Sequence, residues 1–417
     1  MTSSQPLEIP LHDDAGDLVI GDLETGQMYV LPSSPPPSGD DGISFYGIPG
    51  SGPIANPGTP YLAEDDLSLL LAFGENELVA DPTAWPWTAH VRISVTFPNG
   101  DTGQGSGTLI DPYHVMTAGH MLHDDARGGT VTSLTVVPAY DRGIHPFGEA
   151  KARRFLSWNG WLEDGNSKYD LAVVRLNRAV GGATGWYGYG YSSGCSFYKN
   201  NTMHNPSYPG ESPYDGSQMY YRYGFGDGCP NKHKVRFNNY LWGGQSGSSC
   251  YYRSGPDRYV VATMINSTSR KSYAVRMTGS MMNDVTDYME AYRPNEPDLV
   301  AVCSKAPNWH YSPGDTIKGF NYVICNYSQM DYARTWTTVG IYVSSDNRIT
   351  SSDLRLKSHQ QHLEVPAMTS RRMVLDITLP DDLSNGDWYL GVIINVDDAR
   401  NSNNDSSGED ADLIKVF

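Results

Sequence analysis

The chain has 417 residues, 43 of them glycine, and its 30 Lys plus Arg against 47 Asp plus Glu give a formal net charge of −17. That length calls for two or three domains, since single cores stop growing near ~250 to 300 residues. The charge repels a phosphate backbone and supplies no polybasic patch, so nucleic acid is excluded as a partner, and no apolar run approaches the ~20 residues of a transmembrane segment.

In chain order, residues 1–80 alternate acidic pieces with Pro/Gly/Ser-rich ones such as Leu31 to Asp41, and read as a leader or pro-segment, largely irregular. Asp17 to Leu31 is compatible with a small hairpin. The first residues, Met1 to Pro6, lack the basic and apolar regions of a signal peptide, so export is expected through a leader absent from this numbering or by another route.

From about Ala84 the pattern changes to short β-branched runs separated by turn residues: Ala89 to Phe97, Ser106 to Ile110, His114 to Thr117, Leu134 to Pro138, Leu171 to Leu176, Tyr259 to Ile265 and Tyr273 to Met277. Many short strands punctuated by Gly, Pro, Asn and Asp predict an all-β barrel or sandwich rather than a parallel α/β sheet. One helix closes this unit, with Thr278 or Ser280 as its cap and Met281, Met282, Val285, Tyr288 and Met289 at helical spacing. The unit is assigned to residues 81–293, a polar proline-bearing linker to 294–297, and a second β unit to 298–417.

Three segments carry chemistry. Thr117-Ala118-Gly119-His120 places an imidazole just beyond a strand end. Tyr169-Asp170-Leu171 carries a carboxylate into an apolar setting, which is costly without a partner. Gly243-Gly244-Gln245-Ser246-Gly247 surrounds a serine with glycines. A serine hydroxyl is a weak nucleophile and needs an imidazole to take its proton and a carboxylate to orient that imidazole. His114, His123 and His145 lack the same context and are assigned to the surface.

With these residues in hand, the region from about Asp81 to Arg293 resembles the trypsin-like serine endopeptidases, and within them the bacterial glutamyl endopeptidase group. The matching pieces include Pro82 to Pro86, Thr117 to His120, Gly160-Trp161 to Asp170, Gly185 to Gly190, Tyr208 to Gly210, Gly243 to Gly247 and Val275 to Thr278. The resemblance implies two perpendicular β-barrels with a triad between them: His120 as general base then acid, Asp170 as its orienting carboxylate, Ser246 as nucleophile. The amides of Gly244 and Ser246 would form the oxyanion hole. Gln245 stands where many trypsin-like enzymes carry an aspartate that pairs with a freed N-terminus, and an amide cannot make that ion pair. If the leader is removed, the new terminus is expected around Glu77 to Ala80.

The resemblance breaks at the substrate pocket. The group's glutamate preference comes from a histidine and a hydroxyl, and Met264 and Leu241 occupy those positions here. The expectation is therefore an apolar pocket bounded by Leu241, Met264 and the backbone of Ile265, Asn266 and Ser267.

Residues 298–417 resemble the immunoglobulin-like adhesion-related domain of bacterial secreted proteins, through Pro297 to Val300, Ser312 to Asp315, Val339 to Ser344 and Gly386 to Val392. The composite reading is all-β: a trypsin-like double barrel with a C-terminal helix, followed by an immunoglobulin-like sandwich. The five cysteines show no Cys-x-x-Cys pair, so disulfides are expected rather than zinc. Cys303 and Cys325 are expected to pair, and Cys250 to tie to Cys229 or Cys195, which leaves one thiol over. Asp397 to Asp412 reads as a solvated acidic loop, and no metal or cofactor is assigned. The functional expectation is a secreted serine endopeptidase acting on protein or peptide substrates, its C-terminal domain binding a cell-surface or extracellular ligand. The alternative is an inactive protease-like binding protein or adhesin.

Overall fold

The computed structural model describes residues 17–35, 42–47, 49–51 and 74–417. Each strand predicted between Ala89 and Met277 is present. His90–Thr96 alternates buried and half-buried positions, as a strand with one face in a core must. The first sheet runs in the order Ser133–Pro138, His90–Thr96, Thr102–Leu109, His114–Thr117, Ala172–Leu176, Ala150–Trp158. Ser133–Pro138 pairs back onto Ala150–Trp158, closing these six strands into a barrel.

A ten-stranded second sheet is built around Ser249–Ser254, Asp257–Ser267 and Ser272–Arg276. The helix Gly279–Glu290 follows, capped by Thr278, whose Oγ1 accepts from the Met281 amide at 3.3 Å.

The early residues contribute structure as well. Asp17 to Leu31 forms the hairpin the sequence permits, Leu18–Asp22 against Met28–Leu31, and its first strand pairs with Ala150–Trp158 at the barrel margin. Leu18 and Val19 enter the main core. Ile43–Tyr46 pairs with Gly188–Ser192, and Phe45 stacks on Tyr259 with centroids 4.4 Å apart. The buried carboxylate of Asp284 accepts from Ser33 Oγ and the Ser34 amide, each at 2.6 Å, and from Trp158 Nε1 at 3.0 Å. Glu77–Leu78 pairs with the strand Tyr220–Gly224, and the parts of the 1–80 reading that fall on residues 1–16, 36–41, 48 and 52–73 lie outside the described residues.

The C-terminal unit is a two-sheet sandwich. One sheet orders Leu299–Lys305, Thr316–Asn326, Thr369–Thr378, and the other His310–Tyr311, Asp412–Val416, Gly386–Asn395, Tyr332–Ser344, Leu354–Val365. Phe320, Tyr322 and Ile324 from the first meet Val339, Ile341, Val392 and Ile414 from the second in one core. The unit packs directly on the two preceding sheets, because Val300, Val302, Val323, Cys325 and Tyr327 belong to the main core. At the junction Arg178 is 7% exposed, with Nη1 donating to the Phe147 carbonyl at 2.7 Å and Nε to Asp410 Oδ2 at 3.1 Å.

The cysteine expectations need correction. Cys195 and Cys229 form a disulfide, while Cys250, Cys303 and Cys325 are free and buried. Cys303 lies in a bulge between Val302 and Lys305 with φ 47°, and its amide turns to Asp410, whereas Cys325 stands opposite Val300 with its sulfur near Gly182. The register keeps the two thiols apart, because Cys325 is opposite Val300, three residues along the strand from Cys303. Burial pushes the Cys250 thiol up to about 12 against the weaker opposing pull of the Arg222 charge, which keeps it protonated.

Two outcomes follow from this packing. The chain unfolded without reductant should titrate three thiols, rising to five after reduction. Arg178→Ala, which leaves Asp410 buried and unpaired, should cost about 3 to 5 kcal/mol in denaturant unfolding.

Candidate active site

Strand register brings His120 and Asp170 together. Ala172–Leu176 pairs antiparallel with His114–Thr117, with Ala172 opposite Thr117 and Val173 opposite Met116. Continuing that register past the strand ends sets Asp170 opposite Gly119, one residue from His120. The chain leaves the strand through Ala118 and enters a 3-10 turn at Gly119–Met121. Asp170 then grips His120 twice: Oδ1 accepts from the His120 amide at 2.8 Å, and Oδ2 lies 2.9 Å from Nδ1. Gly119 is required by close approach, since a Cβ there would lie 2.7 Å from the Trp161 ring and 3.2 Å from Asp170 Oδ1.

The Asp170 side chain is 4% exposed and that of His120 27%, so the carboxylate is sealed while the ring keeps an open edge. Burial disfavours the charged imidazole. The charge and hydrogen bond of Asp170 together outweigh that burial, and His120 titrates above its ordinary value of 6.5.

Ser246 sits on a turn held from both sheets. Gly244 and Gly247 adopt φ of +88° and +83°, conformations that disfavour side chains. Ser106 on the barrel binds the turn twice, its amide donating to the Ser246 carbonyl and its Oγ to the Gly244 carbonyl, both at 2.8 Å. Thr117 Oγ1 donates to the Ser106 carbonyl at 2.9 Å, tying this anchor to the strand that leads to His120. A Cβ on Gly247 would lie 2.1 Å from Thr117 Oγ1 and 3.1 Å from the Ala118 nitrogen, so the turn rests directly against the His120 segment.

Among the described residues the amides of Gly244 and Ser246 have no hydrogen-bond acceptor, although Gln245, Gly247 and Ser248 on the same turn all donate. These two N–H groups, on either side of Gln245, are available to donate to an anionic oxygen. Ser246 Oγ lies 3.5 Å from the Ile265 carbonyl and makes no hydrogen bond to His120 in this structure.

The other expected positions fall as follows. Leu241 and Met264 are 5% and 0% exposed and share an apolar cluster with Phe197, Val235, Phe237 and Ala274. Ile265 is buried, Asn266 is exposed, and Ser267 Oγ donates to the Leu241 carbonyl at 3.0 Å. His145 is exposed and His123 half-buried, but His114 is fully buried with Nδ1 2.9 Å from Asp111 Oδ1, which corrects its surface assignment. The sequence reading named Ser106 as a strand start and Trp161 within a matching piece but gave neither a place at the site, because only the folded sheets bring them there. Among the described residues no group of three or more His, Cys, Asp or Glu could hold a metal ion, and no helix is long and apolar enough to cross a membrane.

The His120 ring resonances should titrate above 6.5 by NMR, and Asp170→Asn should lower that midpoint, because the substitution removes the charge that favours the imidazolium.

Part of this chain is similar to known proteins. The Trypsin family model matches residues 76–203, a span that includes His120 and Asp170. A Glutamyl endopeptidase of Bacillus licheniformis is 26% identical over 238 residues, covering 55% of this chain and 72% of its own. A Bacillus subtilis protein named Extracellular metalloprotease is 26% identical over 230 residues, covering 52% and 69%. Among solved structures, a Glu endopeptidase in complex with MPD has TM-score 0.44 and 18% identity, covering 53% of this chain and 99% of that one. Protease Anisep from Arthrobacter nicotinovorans has TM-score 0.42 and 22% identity, covering 48% and 93%. The chain therefore carries a trypsin-like serine protease domain.

Proposed function

We propose that the chain is a serine endopeptidase in which Ser246, His120 and Asp170 act together on a peptide bond. The supporting observation is the conjunction of a buried Asp170 paired with His120 and a glycine turn whose Gly244 and Ser246 amides have no acceptor among the described residues. His120 Nε2 takes the proton from Ser246 Oγ as that oxygen bonds to the scissile carbonyl carbon. The carbonyl electrons move onto oxygen, where the Gly244 and Ser246 amides receive them. Collapse breaks the C–N bond as His120 returns the proton to the leaving amine, and water deacylates the serine by the same route. In this reading Ser246 Oγ leaves the Ile265 carbonyl to meet Nε2, and such hydrogen bonds commonly tighten only when substrate is bound.

The proposal assigns an apolar primary pocket. Leu241 and Met264 offer no hydrogen bond to a carboxylate, and burying one against them costs several kcal/mol, so the glutamate preference named for one relative is not carried over. Location outside the cell fits the name of another relative and the Cys195–Cys229 disulfide. The C-terminal sandwich is assigned to holding the enzyme on a surface or protein substrate. The rival reading, an inactive protease-like binding protein, draws on the Ser246 hydroxyl facing Ile265 rather than His120.

A diverse peptide library digested with the parent chain and with Ser246→Ala decides between them. Cleavage after medium or large apolar residues, lost in the variant, is expected. Absence of any Ser246-dependent cleavage would favour the binding protein, and cuts mainly after glutamate would overturn the pocket assignment. Because the base must be neutral, kcat/KM should rise with pH through a midpoint above 6.5. Asp170→Asn should lower kcat by about 10⁴.

A further inference from the structure

The side chain of Gln245, the residue before Ser246, is fully buried, and its amide is bonded at both ends. Oε1 accepts from the Trp242 amide at 2.8 Å, across the mouth of the turn. Nε2 donates to Ser207 Oγ at 2.8 Å and to Asn76 Oδ1 at 3.1 Å. The first two bonds tie the turn to itself and to its sheet. The third reaches 169 residues back along the chain, into the stretch the sequence reading assigned to a removable leader.

Asn76 is held there by backbone pairing. Glu77–Leu78 adds an edge to the strand Tyr220–Gly224, with Tyr220 opposite Leu78 and Tyr221 opposite Glu77. The pairing extends on both sides, through the Gly74 amide to the Tyr223 carbonyl at 2.7 Å and the Val79 amide to the Met219 carbonyl at 3.0 Å. Val79 packs in a cluster with Tyr208, Met219 and Tyr221. Tyr208 also abuts the turn, since a Cβ on Gly244 would lie 2.5 Å from its carbonyl oxygen. The segment from Gly74 to Val79 is thus an outer wall of the serine turn.

We infer that Asn76 is a positioning residue for the Ser246 turn, acting through Gln245, and that any activating cut lies N-terminal to Gly74. This rests on the peptidase reading. The ion pair available to enzymes with an aspartate before the serine is replaced by a neutral amide bonded to the chain's own N-terminal segment. No freed terminus is then needed to order the turn. A cut at Glu77 to Ala80 would release Asn76 and leave one Gln245 N–H unpaired in a buried place, where an unmade hydrogen bond is costly. The oxyanion amides one residue to either side would lose part of their support.

The test uses the full chain with Asn76→Ala and Asn76→Asp. A carboxylate still accepts from Gln245 Nε2, and position 76 is only partly buried, so the aspartate variant should rescue what alanine loses. Alanine should lower kcat about tenfold with KM little changed, and aspartate should restore it to within about threefold. Parental kcat in the alanine variant, or an aspartate variant as impaired as alanine, would overturn the inference. Hydrogen exchange at the Trp242 amide, measured in a Ser246→Ala background, separates this from a failure of the peptidase reading. Faster exchange with alanine at 76 supports positioning whether or not the parent hydrolyses anything, and unchanged exchange overturns it. N-terminal sequencing of the active species gives a further check: a terminus before Gly74 supports the inference, and a fully active species starting at Glu77 to Ala80 refutes it.

Discussion

The buried carboxylate of Asp170 is the constraint on which the site depends. A charge at 4% exposure is tolerable only if its oxygens are satisfied, and the groups that satisfy them are the backbone and the ring of His120. One bond fixes where the His120 backbone runs, and the other fixes the ring tautomer by demanding a proton on Nδ1. Nε2 is left free to accept. The strand pairing of His114–Thr117 with Ala172–Leu176 is what delivers the carboxylate to that place. A slip of one residue would turn Asp170 to the opposite face and leave it uncompensated.

The serine turn depends on a different device. It spans two sheets, so neither alone can define it. Ser106 supplies the barrel side with a backbone and a side-chain bond, and Gly247 supplies the other through its amide to the Met264 carbonyl at 2.8 Å. The positive φ of Gly244 and Gly247 lets the turn fold back without side chains, and the Gly244 and Ser246 amides have no acceptor among the described residues. Stability and chemistry are coupled here, because the contacts that fix the turn also aim those amides.

The peripheral segments belong to the same body. The N-terminal hairpin extends the barrel sheet, Ser33 and Ser34 complete the hydrogen bonding of Asp284, and the C-terminal sandwich contributes Val302, Val323 and Tyr327 to the main core. At the sandwich junction Arg178 and Asp410 are buried as an ion pair. Such a pair adds little net stability when intact, yet losing either partner is costly, so it favours one docking geometry over others.

Local pattern determined much of this protein. Period-two runs gave the strands of the 81–293 unit, the spacing Met281, Val285, Tyr288 gave the helix, and the sequence singled out His120 and Asp170, which the fold pairs, and a Ser246 turn that packs against the His120 segment. Strands and turns are set by neighbours within a few residues, which a single sequence displays. What only the tertiary structure decided are contacts between distant segments. Cys303 and Cys325 both lie on paired strands, yet their register sets Cys325 opposite Val300, and the disulfide forms at Cys195–Cys229 instead. His114 has the polarity of a surface residue and is buried because Asp111 accompanies it. Ser106 and Asn76 carry no motif, since their roles come from the turn they happen to meet. Registers, bulges and the burial of polar groups depend on which surfaces are brought together, and sequence spacing does not encode that.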